Sequence, residues 1–329
     1  MDKAGFTAYM ESKGFSPRTQ KDSIKKLNQF FDWLGTCDKE DTCTAYKVRG
    51  IQVTKPDILH YLEHLKNSRA QQNATRKTHL ITLNHYFTHL YQSEQISVNP
   101  CLFLKIRGTK RRALCKIYSP EELVALFDNY DALFVRNYND SHIPPTMRKQ
   151  AALIRDRNAA VLSIFVHQGI FTSETGNIET EDLDLIKAVI RIRGSEKRLK
   201  ERILPLNATQ MGVLMHYLQN TRPKILQYHA TESKKLFLPL PGIGKNETDD
   251  DEMCKPCYSL TPALKSIDKQ FVNFKQVRAS LITHWIKTHG LRKAQYMAGH
   301  RSIIATEEYA INDLDDLTND VNKLHPFNM

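Results

Sequence analysis

Apolar residues recur at three- and four-residue steps through most of the first hundred positions, a period that specifies helix rather than strand. Ser16-Pro17-Arg18-Thr19 has the form of a helix start, with Ser16 as N-cap and Pro17 in the first turn, where a missing N–H does no harm. Ile24, Leu27, Phe31 and Leu34 then mark one apolar face, while Arg18, Lys21, Lys25 and Lys26 form a basic side. A second helix opens at Thr54-Lys55-Pro56-Asp57, with Asp57 completing a capping arrangement, and is expected to bury Ile58, Leu62 and Leu65. A third runs from about Thr75 through Leu80, Leu83, Phe87 and Leu90, and its first turn adds Arg76 and Lys77 to the cationic set. Asn99-Pro100 closes this helical region.

The charge is unevenly spread. The chain carries a net +11, and residues 1–112 hold 19 Lys/Arg against 10 Asp/Glu, a net of +9; the remaining residues hold 28 against 26. A basic first half and a near-neutral second half suit a protein whose first half meets a polyanion, although lysine-rich surfaces are common in any soluble protein. The run Lys105-Ile106-Arg107-Gly108-Thr109-Lys110-Arg111-Arg112 reads as a linker able to lie along a phosphate backbone, with Lys110, Arg111 and Arg112 as its contacts. The expected division is 1–106 as a helical domain, 107–118 as basic linker and 119–329 as a second domain, with residues 310–329 as its tail.

Helix restarts at Ser119-Pro120-Glu121-Glu122, a capping box. Residues 155–168 read as helix with Val161, Ile164 and Phe165 buried. Segments 188–193 and 201–206 read as two strands around a lysine-containing turn. Helices follow over 209–219, 275–288, 291–298 and 304–309, and residues 241–257, with their acidic run, read as a long exposed loop. The fold class is therefore mainly α, with a small antiparallel β-sheet in the second domain.

No apolar run approaches the roughly 18 residues of a membrane span, and the opening residues carry no secretory pattern, so the protein reads as cytoplasmic. Six cysteines at irregular spacing do not form a disulfide framework; Cys254-Lys255-Pro256-Cys257 has half a zinc site's spacing and no partner pair, so no metal is expected.

The chemistry concentrates near the C-terminus. His300 follows Arg278 by 22 residues and Tyr309 follows His300 by nine. Taken singly, each has an ordinary explanation: a packed tyrosine, a Gly-His helix C-cap, a surface arginine. Together, Tyr296-Met297-Ala298-Gly299-His300-Arg301-Ser302 and Thr306-Glu307-Glu308-Tyr309 resemble the closing motif of the tyrosine recombinases, the integrase and Xer-type family. The resemblance extends over nearly the whole chain. Residues 14–19 resemble the opening of the family's core-binding domain, and Asn99-Pro100 its end. Gln168-Gly169, Ser173-Glu174 and Asp182-Leu183-Asp184 resemble the first catalytic box, and residues 200–206 the hairpin that carries the family's lysine.

The resemblance implies a helical, SAM-like core-binding domain and a catalytic domain clamped around double-stranded DNA, with four protomers on two DNA sites. It implies strand cleavage without cofactor or metal and with no small-molecule substrate. Tyr309 would be the nucleophile, Arg278 a bidentate phosphate ligand, His300 a hydrogen-bond donor to the same phosphate, and Lys197 the general acid, with Lys200 as the competing assignment. The tail positions Ile311, Leu314, Leu317, Val321 and Leu324 recur at helical spacing and suit docking either on a neighbouring protomer or on their own domain.

Two positions depart from the family pattern. Phe171 stands where the first box normally has an arginine, and Lys275 where the second box has a histidine. Lys275 offers a positive charge in partial compensation, and Arg155, Arg193, Arg198 and Arg202 are further candidates for the vacancy. The rival expectation is a catalytically weak accessory protein that binds recombination sites; a helical DNA-binding regulator would leave the catalytic boxes without purpose.

Overall fold

The computed structural model describes residues 3–37, 53–108, 116–194, 199–229, 232–240 and 255–310. The chain divides into two compact units, Met1–Ala113 and Leu114–Met329.

The first unit is helical: α1 (Lys3–Ser12), α2 (Pro17–Cys37), α3 (Lys55–Asn67) and α4 (Asn73–Gln92). The local start signals operate as read. Ser16 Oγ accepts from Thr19 N at 3.3 Å, and the Asp57 carboxylate accepts from both Thr54 N (2.7 Å) and Thr54 Oγ1 (2.6 Å). The buried face of α2 is turned from the expected one: Leu27, Phe30 and Leu34 are buried, whereas Ile24 and Phe31 are half-buried. Phe30 occupies the centre because it meets Tyr61 of α3 edge-on at 5.0 Å and Phe87 of α4 at 6.3 Å. Helix α1, which the sequence reading missed, packs Phe6 and Met10 into this core against α2 and α4.

The second unit begins with α5 (Pro120–Tyr130), which runs on through a π-helical turn at Asp131–Arg136, and α6 (Pro145–Gln168). Ser119 and Glu122 form the expected reciprocal cap. Helix α6 starts at Pro145, well before the expected Arg155; Pro144-Pro145 is an N-terminal signal, because proline tolerates the first turn. Arg157 through Val166 are all buried, so this part of the helix is enclosed on every side by its neighbours, which include α5, α8, α10 and α11. A short α7 (Thr172–Thr175) precedes a three-stranded antiparallel sheet of order β1-β2-β3: β1 (Leu183–Asp184), β2 (Val189–Ile192) and β3 (Arg202–Pro205). Ile190 pairs with Leu183 on one side and Leu204 on the other. Helices α8 (Ala208–His216), α9 (Arg222–Leu226), α10 (Lys255–Ile267), α11 (Phe274–His289), α12 (Leu291–Ala298) and α13 (Ile304–Ala310) complete the unit.

The expected loop over 241–257 is corrected at its end, since α10 begins at Lys255 and includes Cys257; residues 241–254 lie outside the described residues. Among the described residues no group of His, Cys, Asp and Glu is placed to hold a metal, and no helix is long and apolar enough to cross a membrane.

Candidate active site

Helix α11 carries the centre of the site. Arg278 is 1% exposed, yet its guanidinium has neutral partners. Nη1 donates to Gly169 O at 2.6 Å and Nη2 to Ala298 O at 2.7 Å. These carbonyls stand at the C-terminal ends of α6 and α12, where helices leave acceptors unsatisfied and the dipole favours a cation. Both helices end on a left-handed glycine, Gly169 (φ 55°) and Gly299 (φ 72°). A side chain at Gly169 would bring its Cβ to 3.1 Å of Leu281 Cδ1, so glycine is what allows α6 to close against α11. Burial lowers the Arg278 pKa to about 10, with Glu174 opposing the shift and Arg202 adding to it; the group stays charged at neutral pH.

His300 lies directly against this fork, its Nε2 3.0 Å from Arg278 Nη2. Arginine has only donors, so Nε2 accepts and the ring proton resides on Nδ1, which donates to Thr306 Oγ1 at 2.9 Å. A neutral ring fits the surroundings: burial first, then the charges of Arg278 and Arg202, push the His300 pKa down to about 4. The Tyr309 ring stacks on His300 with centroids 5.7 Å apart and planes at 18°. Tyr309 is 9% exposed, its hydroxyl hydrogen-bonds the Arg278 side chain, and its carbonyl accepts from Thr283 Oγ1 at 3.3 Å. The C-cap explanation of Gly-His and its place in a site therefore hold together: the glycine ends α12, and the next residue is delivered to the arginine.

Phe171 does enter this cluster. Its ring lies 4.0 Å from the Arg278 guanidinium carbon, a cation–π contact, and its N–H donates to Glu174 Oε2 at 2.7 Å. The other carboxylate contacts go to Arg202, whose Nη1 and Nη2 reach Glu174 Oε1 (2.7 Å) and Oε2 (3.2 Å). Glu174 and Arg202 were only weakly signalled in the sequence, because a contact across 28 residues leaves no local pattern.

The expected lysines fare differently. Lys197 lies outside the described residues. Lys200 has an exposed side chain and ties its backbone N–H to Gly299 O at 2.8 Å. Lys275 is exposed on the first turn of α11, and its side chain makes no hydrogen bond or ion pair among the described residues, so the structure does not bring it into the cluster. In the first unit Arg18, Lys21 and Lys25 are exposed on α2. Arg76 is half-buried and binds Leu62 O (2.9 Å) and Asn73 Oδ1 (2.9 Å), which ties it to the fold. Lys77 is exposed and, with Lys105 and Arg107, lines a groove beside Leu80 and Phe103. Lys110, Arg111, Arg112 and the tail from residue 311 lie outside the described residues.

A mainly helical unit with a small antiparallel sheet, which folds Arg278, His300 and Tyr309 into one buried cluster, has the fold of the tyrosine recombinases. The XerH site-specific recombinase in a post-cleavage complex with palindromic difH superposes with a TM-score of 0.68 at 16% identity, covering 97% of this chain and 94% of that one. A lambda integrase tetramer bound to a Holliday junction gives 0.56 at 13% identity, covering 92% and 74%. The phage integrase family matches residues 141–314, and the chain belongs to that family. The tyrosine recombinase XerC of Chlorobaculum tepidum is 26% identical over 329 residues, covering 98% of this chain and 93% of that protein.

Proposed function

We propose that this chain carries out site-specific recombination of double-stranded DNA through a covalent 3′-phosphotyrosine at Tyr309. The observation that carries the reading is the convergence of Arg278, His300 and Tyr309 on one another at the closed ends of α6 and α12. The Tyr309 hydroxyl gives up its proton to solvent water as its oxygen forms the new bond to phosphorus, the phosphorus–5′-oxygen bond breaks, and Lys197 or Lys200 protonates the departing oxygen. Religation reverses these steps, so no energy source is needed. Arg278 turns its fork from the two carbonyls to the phosphate oxygens, where a preorganised charge-assisted donor stabilises the phosphorane. His300 can then donate to the same phosphate once its proton moves from Nδ1 to Nε2.

The first unit, with its exposed Arg18, Lys21, Lys25 and Lys77, grips the DNA backbone, and Lys110, Arg111 and Arg112 continue that contact. The two units clamp the duplex, and four protomers hold two sites, with the segment after Tyr309 docking on a neighbour. The departures at Phe171 and Lys275 suit a divergent integrase of a mobile element. A second reading, an accessory protein that binds such sites without cutting, is favoured by the Phe171 ring lying over Arg278.

A nicked suicide duplex, carrying a sequence selected for tight binding, separates the two readings. The wild-type protein is expected to form a detergent-resistant DNA adduct on a denaturing gel, and Tyr309→Phe none. Tight, salt-sensitive binding without any adduct would assign the accessory role instead.

A further inference from the structure

We propose that Arg202 is the counter-ion that keeps Glu174 from neutralising Arg278, so that the site presents one uncancelled positive charge to the scissile phosphate. The inference rests on the strand-cleavage reading above.

Three buried charges meet here: Glu174 (4% exposed), Arg202 (1%) and Arg278 (1%). A buried carboxylate is tolerated only when paired, and it takes the cation that offers the best geometry. Glu174 receives both Nη atoms of Arg202, whereas those of Arg278 go to neutral carbonyls and His300. Glu174 nevertheless lies within electrostatic reach of Arg278 and His300, as does Arg202. Without Arg202, the carboxylate's remaining cation among the described residues is Arg278, and a pair formed there would cancel the charge meant for phosphate.

The fold fixes Arg202 in this role. A Cβ on Gly299 would stand 2.6 Å from Arg202 Nη1, so the glycine leaves the guanidinium its space. Leu199 bridges His300 and Lys200 N donates to Gly299 O, which stitch the start of β3 to the loop carrying the histidine. The Nε of Arg278 is buried and lacks a hydrogen-bond partner among the described residues, a donor available to an incoming oxygen after a small movement. The other arginines that might fill the place of the missing family arginine are engaged elsewhere or lie outside the described residues. Arg155 stacks on Tyr138 at 4.0 Å, Arg193 binds Glu179, Glu181 and Asp182, and Arg198 is in the undescribed turn. Arg202 is thus a positioning residue that acts through Glu174 and not a catalytic one.

The test measures adduct formation by wild type, Arg202→Gln and Glu174→Gln/Arg202→Gln. Each acts on the suicide duplex with an ordinary scissile phosphate and with an uncharged methylphosphonate there, and thermal melting confirms folding. On the phosphate, Arg202→Gln is expected to lose on the order of 10²-fold, the scale of one lost transition-state donor. On the methylphosphonate, which needs less positive charge, that loss shrinks to less than about tenfold relative to wild type. The double variant, in which no buried charge lacks a partner, returns to within about tenfold of wild type on the phosphate. Equal losses on both substrates would show a merely structural role and overturn the proposal. So would a folded double variant as slow as the single one, and this arm decides the matter if Arg202→Gln alone fails to fold. A wild type silent on both substrates would instead remove the cleavage reading, and the role of Arg202 with it.

Discussion

His300 shows how a single residue's protonation is set by its partners. Burial, and then the charges of Arg278 and Arg202, hold the ring neutral, and its pKa near 4 stands below the ordinary histidine value of about 6.5. Between those values the unfolded chain binds a proton that the folded one refuses, so stability falls as pH drops from about 6.5 towards 4. His79, pushed to about 4 mainly by burial in the first unit, contributes in the same direction. Urea unfolding between about pH 7.5 and 4.5 is expected to show this decline, and His300→Gln to remove its share, at most about 1.4 kcal/mol per pH unit for one proton. A His300→Gln protein as acid-sensitive as wild type would mean that the folded ring is not held neutral. At this scale the sequence was most informative where chemistry and spacing coincide: Arg278, His300 and Tyr309 were all named, and all three meet. It was least informative where a side chain's partner is distant in sequence. Nothing local distinguishes Arg202 from Arg193, yet one pairs with Glu174 beside the site and the other joins a carboxylate group at β2.

Elements were legible where their ends are written in side-chain chemistry. The caps at Ser16, Thr54 and Ser119 were read from a few residues each, since a cap is a local hydrogen bond. Helix α1 lacked such a signal, and the two-residue β1 is too short to show a period; both owe their form to tertiary contacts. The C-terminal glycines make a sharper test of element-level reasoning. Gly290 and Gly299 both have positive φ, 78° and 72°, and flank α12. A Cβ at Gly290 meets nothing within 4 Å, whereas at Gly299 it meets Arg202 Nη1 at 2.6 Å and Lys200 O at 3.0 Å. Gly290→Ala is expected to destabilise by backbone strain alone, about 1–3 kcal/mol, because its φ of 78° with ψ of 164° lies in a region essentially reserved for glycine. Gly299→Ala carries the milder strain of the αL region (ψ 20°) but adds the steric term, and is expected to lose more than the roughly 1–2 kcal/mol of left-handed strain by denaturant unfolding. It should also slow adduct formation, because the residue that must yield is the partner of Glu174. A loss no larger than that strain would mean that Arg202 shifts freely and that its place is not fixed by Gly299.

For the whole molecule, the charge is as uneven as the proposed division of labour requires: a net of +9 lies within residues 1–112 of a chain carrying +11. The structure refines which of those cations face solvent, since Lys21 and Lys25 are exposed on α2 while Arg76 is held by Leu62 and Asn73. DNA binding should therefore weaken with salt, with log K falling by roughly 0.9 per log unit of salt for each phosphate neutralised. In anisotropy titrations with duplex DNA, Lys21→Ala/Lys25→Ala is expected to flatten that slope by about 1.8, the sum for two lost contacts. Arg76→Ala should instead act mainly through the stability of the first unit, seen as a lower melting temperature with a nearly unchanged slope. Tyr309→Phe should leave the slope alone while abolishing the adduct, because the proposed function gives gripping the backbone and attacking it to different parts of the chain. If the Lys21/Lys25 variant kept the full slope, the cationic face of α2 would be a solvated surface, and the grip would have to come from the groove lined by Lys77, Lys105 and Arg107 or from the basic run at 110–112.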